Sequence, residues 1–247
     1  MSHINQRRHK PECAIVELRQ YTLHPGMRDV LIDLFDREFI ETQEAVGMTV
    51  MGQFRDLDHP DRFVWLRGFH DMETRANGLA AFYGGPVWQA HCDVANTTMI
   101  DSDNVLLLRP AWPGSEIKLD LRQRAVMNAE MPEGLLNASV FYLKEAASPA
   151  LLTFCREHMQ AVLIAAGVRM LGWYVTESRP NNFPKLPVRE KEIVLVGFAL
   201  FNDIASFEKF ALSGKWDREI TPTLSPWLSR ATESHRLTPT ARSAIHA

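Results

Sequence analysis

Cysteine is scarce in this chain: Cys13, Cys92 and Cys155 are the three present in 247 residues. They are too few and too scattered for a disulfide framework or a zinc knuckle, and such sparse use suits a reducing compartment. An excess of one charge is also missing. Lys and Arg number 27 against 30 Asp and Glu, a formal net charge of -3, so no overall basic field draws nucleic acid or an acidic membrane surface. No apolar run approaches the roughly 20 residues of a membrane-spanning helix. Residues 1–12 are basic and polar, without the apolar stretch of a secretory signal, and read as the flexible leader of a cytoplasmic protein. Catalytic signatures are equally thin. There is no phosphate-binding glycine loop, and Gly84-Gly85-Pro86 reads as a helix break before Trp88. No serine sits in a Gly-x-Ser-x-Gly turn. The nine histidines show no paired helical spacing, and neither His91-Cys92 nor Cys155-x-x-His158 has the further ligands of a zinc site, so no metal is expected.

What is present is core material and a repeat. Hydrophobic residues make up 46% and charged residues 23%, which places the chain among globular proteins and leaves one large domain or two small ones open. The stretch Ala45-Val-Gly-Met-Thr-Val-Met-Gly-Gln-Phe54 aligns with Ala165-Ala-Gly-Val-Arg-Met-Leu-Gly-Trp-Tyr174. Gly47 falls on Gly167 and Gly52 on Gly172, a constant offset of 120 that also lays Tyr21 on Phe141 and Leu31 on Leu151. After extra residues in the second copy, Phe69-His-Asp71 meets Phe201-Asn-Asp203, Trp88 meets Trp216, and Leu108-Arg-Pro110 meets Leu237-Thr-Pro239. Matches in one order indicate two versions of one supersecondary unit.

Periodicity assigns the elements. Residues 15–22 alternate, with Val16 and Leu18 on one side and Glu17, Arg19 and Tyr21 on the other, as a strand does. Met27, Val30, Leu31, Leu34 and Phe35 recur at helical spacing, and that helix should end near Gly47. Strands over 49–54 and 62–69, a helix over 72–82, a broken segment past Trp88 and a strand over 105–109 complete a β-α-β-β-α-β order, the ferredoxin-like unit. The second copy repeats it with a strand at 138–144, a helix at 149–166, strands at 168–176 and 192–201, helices after Asp203 and a last strand near Arg236. Its proline-bearing hairpin, 177–190, either lies over an opening or projects into solvent. The expected organisation is a leader (1–12), a first unit (13–110), a linker (111–135) and a second, diverged unit (136–240). A four-stranded antiparallel sheet with helices on one face needs a partner for the other. The fold expected is therefore α+β, with two tandem ferredoxin-like units forming an intramolecular α+β barrel.

The run Val16-Glu-Leu-Arg-Gln-Tyr-Thr-Leu-His-Pro-Gly26, with Gly52, Trp65-Leu-Arg-Gly-Phe69, Arg75, Pro86-Val-Trp88 and Leu106-Leu-Leu-Arg-Pro110, resembles the NIPSNAP family. The resemblance covers residues 14–110 and reaches 136–239 mainly through the second copy's likeness to the first. It implies the dimeric α+β barrel superfamily, which includes cofactor-free monooxygenases and haem enzymes. NIPSNAP relatives have no agreed activity and are associated with vesicle and mitochondrial quality control in animals.

Three functional readings follow. In the first, the alternation sends Glu17, Arg19 and Tyr21, with Trp65, Arg67 and Phe69, into the space between the two sheets if Val16 and Leu18 face the helices. The aligned second-copy residues Asn137, Ser139, Phe141, Gly197, Ala199 and Phe201 are mostly smaller. Arg19 and Arg67, with Trp65 and Gln53, would hold a small polar or anionic molecule, Tyr21 would donate a proton, and Glu17 would balance charge or act as base, without a cofactor. The same residues also read as an ion-pair network that fixes the sheet. In the second reading, His158, aligned with Glu38 on the helical apolar stripe, is an axial ligand of haem, as the superfamily's haem enzymes imply, or a hydrogen-bonded core residue. In the third, the protein is a non-catalytic assembly or interaction module, possible as a homo-oligomer, with a filled barrel. Trp88 and Trp216 read as core anchors. The sequence names no reaction.

Overall fold

The computed structural model describes residues 13–126 and 129–247; the leader expected over 1–12 lies outside them. Among the described residues nine strands form: β1 (Ile15–Leu23), β2 (Thr49–Asp56), β3 (Arg62–Phe69), the short β4 (Met99–Asp101), β5 (Val105–Pro110), β6 (Leu135–Tyr142), β7 (Met170–Thr176), β8 (Val194–Phe201) and β9 (Glu233–Pro239). Within the first unit the order is β5-β1-β3-β2 and within the second β9-β6-β8-β7. The edges of the two sheets pair with each other. β5 joins β7 from Leu108↔Thr176 to Pro110↔Tyr174, and β2 joins β9 from Phe54↔Pro239 to Asp56↔Leu237. The result is a closed eight-stranded antiparallel barrel in which each unit's last main strand pairs with the other's second, the pseudo-twofold arrangement the repeat implies.

Helix α1 covers 28–45 as Arg28–Leu34, a π-helical turn Phe35–Phe39 and Ile40–Ala45. Helix α2 is Met72–Tyr83 and α3 is Pro86–Thr98. In the second unit α4 covers 149–165 as Pro149–Phe154, a π-helical turn Cys155–Met159 and Gln160–Ala165, and α5 is Ile204–Leu212. The offset of 120 thus extends to the π-turns. It extends also to the helix ends, where Gly47 and Gly167 adopt φ of 86° and 85°, the left-handed conformation that glycine takes without strain. Where a broken segment was expected around Trp88, α3 is continuous, because Pro86 occupies the helix start, where its missing N–H is not needed.

β1 is buried from Ile15 to Tyr21 on both faces, so its alternation separates two faces without saying which one meets the helices. The structure reverses the expected assignment. Val16, Leu18, Val64 and Leu66 point into the barrel, where they join Leu136, Ala138, Val140, Val196 and Phe198 of the second unit in one core. Glu17, Arg19, Tyr21, Trp65 and Arg67 face α1 and α2 instead. The space between the sheets is filled, and two segments outside the repeat help to fill it. Ile117 and Leu119 enter from the linker, and Ala244 and Ile245 from the tail beyond β9. The region between the units is therefore part of the core as well as a connection.

The repeated glycines make room for these insertions. A Cβ on Gly172 would lie 2.4 Å from Ile117 Cγ1, and one on Gly52 would lie 2.7 Å from the Phe54 ring and 3.0 Å from Ser243 Oγ. Ile117 N–H also donates to Tyr174 Oη at 2.9 Å. Gly172→Ala should cost about 1–3 kcal/mol by overpacking. In urea unfolding, Gly172→Ala with Ile117→Ala should cost less than the two single changes added together, by about 0.5 kcal/mol or more. Simple additivity would contradict the packing described.

No helix among the described residues is long and apolar enough to cross a membrane. Among those residues, no three His, Cys, Asp or Glu side chains gather to hold a metal ion.

Candidate functional site

Between the first sheet and its helices lies a charged cluster with almost no contact with solvent. β1 and β3 align Glu17 with Arg67 and Arg19 with Trp65, and β2 and β3 align Gln53 with Trp65. Cross-strand partners project to the same side of a sheet, so these five residues share the helical face. Arg75 reaches the same place from α2, on the stripe of Met72, Leu79 and Phe82. Glu17, Arg67, Arg75 and Gln53 are 0% exposed and Arg19 is 1% exposed.

The Glu17 carboxylate is saturated. Its Oε2 accepts from Arg19 Nη1 at 2.8 Å and from Arg67 Nε at 3.0 Å and Nη2 at 2.7 Å, while Oε1 accepts from Arg75 Nε at 2.8 Å. Burial alone would push this carboxyl up, but the guanidiniums of Arg67, Arg19 and Arg75 outweigh it and hold it far below the usual carboxylate range. Glu17 is thereby a fixed counter-ion, and a carboxylate held so far below its usual range is a poor proton acceptor. Arg67 Nη1 donates to Gln43 Oε1 at 3.0 Å, and Arg75 Nη1 donates to Asn181 Oδ1 at 3.0 Å and Asn182 Oδ1 at 2.7 Å. Arg19 Nε donates to Tyr21 Oη at 2.9 Å. Burial pushes the Tyr21 phenol up, so it retains its own proton to donate.

Three guanidiniums thus face one carboxylate in a buried space. The remaining compensation comes from amide oxygens and ring faces. The Arg67 guanidinium lies 4.9 Å from the Trp65 ring centroid, and that of Arg19 lies 5.4 Å from the Tyr21 ring. Trp65 Nε1 and both amide atoms of Gln53 are buried without hydrogen-bond partners. A small cavity of about 30 Å³ opens beside Trp65, its lining including Tyr21, Gln43, Phe82, Tyr83 and Trp88 but neither Gln53 nor the arginines. The hairpin of the second unit covers the cluster. Asn181 and Asn182 bind Arg75, Phe183 stacks on Tyr83 with ring centroids 6.2 Å apart, and Leu186 and Val188 pack on the same apolar layer.

The six first-copy residues expected to bind or act on a ligand (Glu17, Arg19, Tyr21, Gln53, Trp65, Arg67) therefore lie in one cluster, but in the helical layer rather than between the sheets. Arg75, Gln43, Asn181 and Asn182 were not anticipated as members. For Arg75 a signal existed, a cation on the apolar stripe of a helix. The asparagines come from 106 and 107 residues away and left no local sign.

His158 is not on the core stripe. The π-turn shifts the inward positions to Cys155 and Met159, which are 0% exposed, and leaves His158 exposed on the outer face, stacked on Phe154 at 5.2 Å. An axial ligand for haem in the space between helices and sheet cannot come from there. Its counterpart Glu38 is also off the stripe, paired with Arg37 at 2.8 Å and His91 at 3.6 Å. Trp88 packs on Phe39, Phe82 and Tyr83 as a core anchor; Trp216, half-buried, lies over Phe141.

Glu17→Gln should destabilise the protein by about 3–5 kcal/mol at pH 7, since it leaves three buried guanidiniums without their carboxylate. The Glu17 pKa is lower in the folded than in the unfolded chain, so its contribution is complete above the unfolded value of about 4.3 and declines as pH falls from there toward the folded value. In denaturant titrations across pH, Glu17→Gln should lose that acid slope. An unchanged slope would mean that Glu17 does not carry it.

Residues 16–112 match the family model NIPSNAP. Over almost the whole chain the fold is similar to a candidate monooxygenase from Lactobacillus acidophilus NCFM, at 12% identity and a TM-score of 0.59, covering 95% of this chain and 99% of that one. A candidate monooxygenase from Fusobacterium nucleatum is similar at 11% identity and a TM-score of 0.57, covering 92% of each chain. A NIPSNAP family protein from Agrobacterium tumefaciens aligns with 39% of this chain and 92% of its own at 22% identity, with a TM-score of 0.37. No curated protein matches the sequence. At these identities the full-length likenesses establish the α+β barrel fold and nothing of activity. Residues 16–112 are a NIPSNAP domain, joined in one chain to a second ferredoxin-like unit that completes the barrel.

Proposed function

We propose that the protein binds a small anion of carboxylate size in the helical layer of its first unit, beside Arg19, Trp65 and Gln53. The observation that carries this reading is the charge imbalance: three fully buried guanidiniums, one carboxylate, and unpartnered donors at Trp65 Nε1 and Gln53 Nε2 in the adjoining cross-strand row. Buried charge without a counter-charge is costly, and amide dipoles offset only part of that cost. A cavity of about 30 Å³, which meets the cluster at Tyr21, Gln43 and Trp65, exceeds the 10–15 Å³ that one water-sized group needs. In this reading Arg19 and Arg67 supply the positive field, Tyr21 donates its phenolic proton to the anion, and Glu17 keeps the guanidiniums aligned. Turnover is a second reading, favoured by the Tyr21 phenol, which keeps its proton while its oxygen accepts from Arg19 Nε. There Tyr21 would serve as the proton donor to a bound substrate.

Thermal unfolding in formate, chloride and sulfate at constant ionic strength tests the binding. Formate should raise the Tm saturably. The gain is about 2.7 kcal/mol at a hundredfold excess over Kd, roughly 5–10 °C for a domain of this size. Tyr21→Phe and Gln53→Leu should each weaken the formate effect. A Tm that follows ionic strength alone, identically in all three salts, would contradict the proposal.

A further inference from the structure

The place in the second unit that corresponds to the charged cluster is open. By strand register, Asn137 pairs with Ala199 and Ser139 with Gly197, as Glu17 pairs with Arg67 and Arg19 with Trp65. The tryptophan has moved across one strand pair. Trp65 of β3 beside Gln53 of β2 becomes Gly197 of β8 beside Trp173 of β7. Gly197 is what admits the displaced ring, because a Cβ there would lie 2.6 Å from Trp173 Cζ3. The covering helix also stands off: α5 buries none of its residues, whereas α2 buries five, Met72, Arg75, Gly78, Leu79 and Phe82. The result is a cleft of about 330 Å³, within the range of small-molecule sites.

Its chemistry differs from that of the first unit. Trp173, Phe141 and Trp216 form a nearly parallel series, with ring planes inclined by 23° and 20° and centroids 6.5 and 6.2 Å apart. Phe207 and Phe210 of α5 line the cleft as well. One side is polar but neutral. Ser139 Oγ donates to Asn137 Oδ1 at 3.1 Å, and Asn137 Nδ2 donates to Ser234 Oγ at 2.8 Å. With its proton given to Asn137, Ser139 Oγ keeps lone pairs for an incoming O–H. Among the described residues no cationic side chain lines the cleft and the one charged residue there is Asp217, so the site disfavours anions.

We infer that this cleft is a second binding site, for a neutral, planar hydroxyaromatic molecule whose ring lies along the Phe141, Trp173 and Trp216 faces and whose hydroxyl donates to Ser139 Oγ. Flat π systems meet other rings in offset or edge arrangements, gaining contact beyond simple burial. A hydroxyl donor satisfies the acceptors that an anionic oxygen would leave unpaired. The site is independent of the anion site, which lies on the other unit's sheet.

Calorimetric titration of the full chain with 2-naphthol and with 2-naphthoate tests this. 2-Naphthol should bind at one site, and 2-naphthoate at least tenfold more weakly. Ala199→Phe, which refills the position held by Arg67 in the first unit, should abolish 2-naphthol binding. Phe210→Ala, on the half-buried covering helix, keeps the strand core intact and should weaken binding at least fivefold. Tyr21→Phe, in the first unit, should leave it unchanged. The inference is overturned if 2-naphthol shows no binding at millimolar concentration, if Phe210→Ala binds as the parent does, or if Tyr21→Phe causes the greater loss.

Discussion

Each four-stranded unit has two exposed edges and one sheet face uncovered by helices, and neither is tolerable in water. Unpaired strand edges invite intermolecular pairing, and an apolar sheet face must be covered. One event solves both problems. β5 closes on β7 and β2 on β9, so all four edges disappear as the two inner faces become a common core. Both faces of the central strands are buried as a result, and every chemically interesting residue is confined to the helical layers or the barrel ends.

Fusing two units in one chain allows asymmetry that two identical subunits could not have. The linker and the tail fill the barrel at pseudo-equivalent glycines, Ile117 against Gly172 and the 243–245 region against Gly52. The long hairpin of the second unit reaches across to seal the first unit's cluster through Asn181, Asn182 and Phe183, while the first unit's corresponding turn, residues 57–61, is short. The two helical layers have diverged under this arrangement. One holds a dense knot of arginines around Glu17, and the other an aromatic cleft with small residues at the matching positions.

Much of the fold was legible because the repeat constrains it twice. An offset read from glycines at 47, 52, 167 and 172 also relates the two π-turns to each other, though nothing in the sequence announced either. Those π-turns are the reason His158 misled: extrapolating a 3.6-residue stripe from Leu151 and Phe154 reaches position 158, but a single inserted π-turn hands the inward position to Met159. The members of the charged cluster on strands were visible through alternation. Arg75 was half visible, as a cation on an apolar stripe, and the asparagines of the hairpin were not visible at all, because contacts across more than 100 residues leave no trace in local pattern.

The sequence by itself determined which residues share a face, that two copies of one unit exist, and that charge gathers in the first copy where the second has small groups. Periodicity and offset are properties of the chain alone. Only the tertiary structure decided which face turns inward. A strand buried on both sides gives the same alternation in either orientation, and the choice depends on what the other sheet presents. The barrel takes the side made of Val16, Leu18, Val64 and Leu66, since the opposing face from the second unit is apolar and offers no counter-charge. The arginines and Glu17 are left to the helical layer, where Gln43 and the distant hairpin supply the polar oxygens they need.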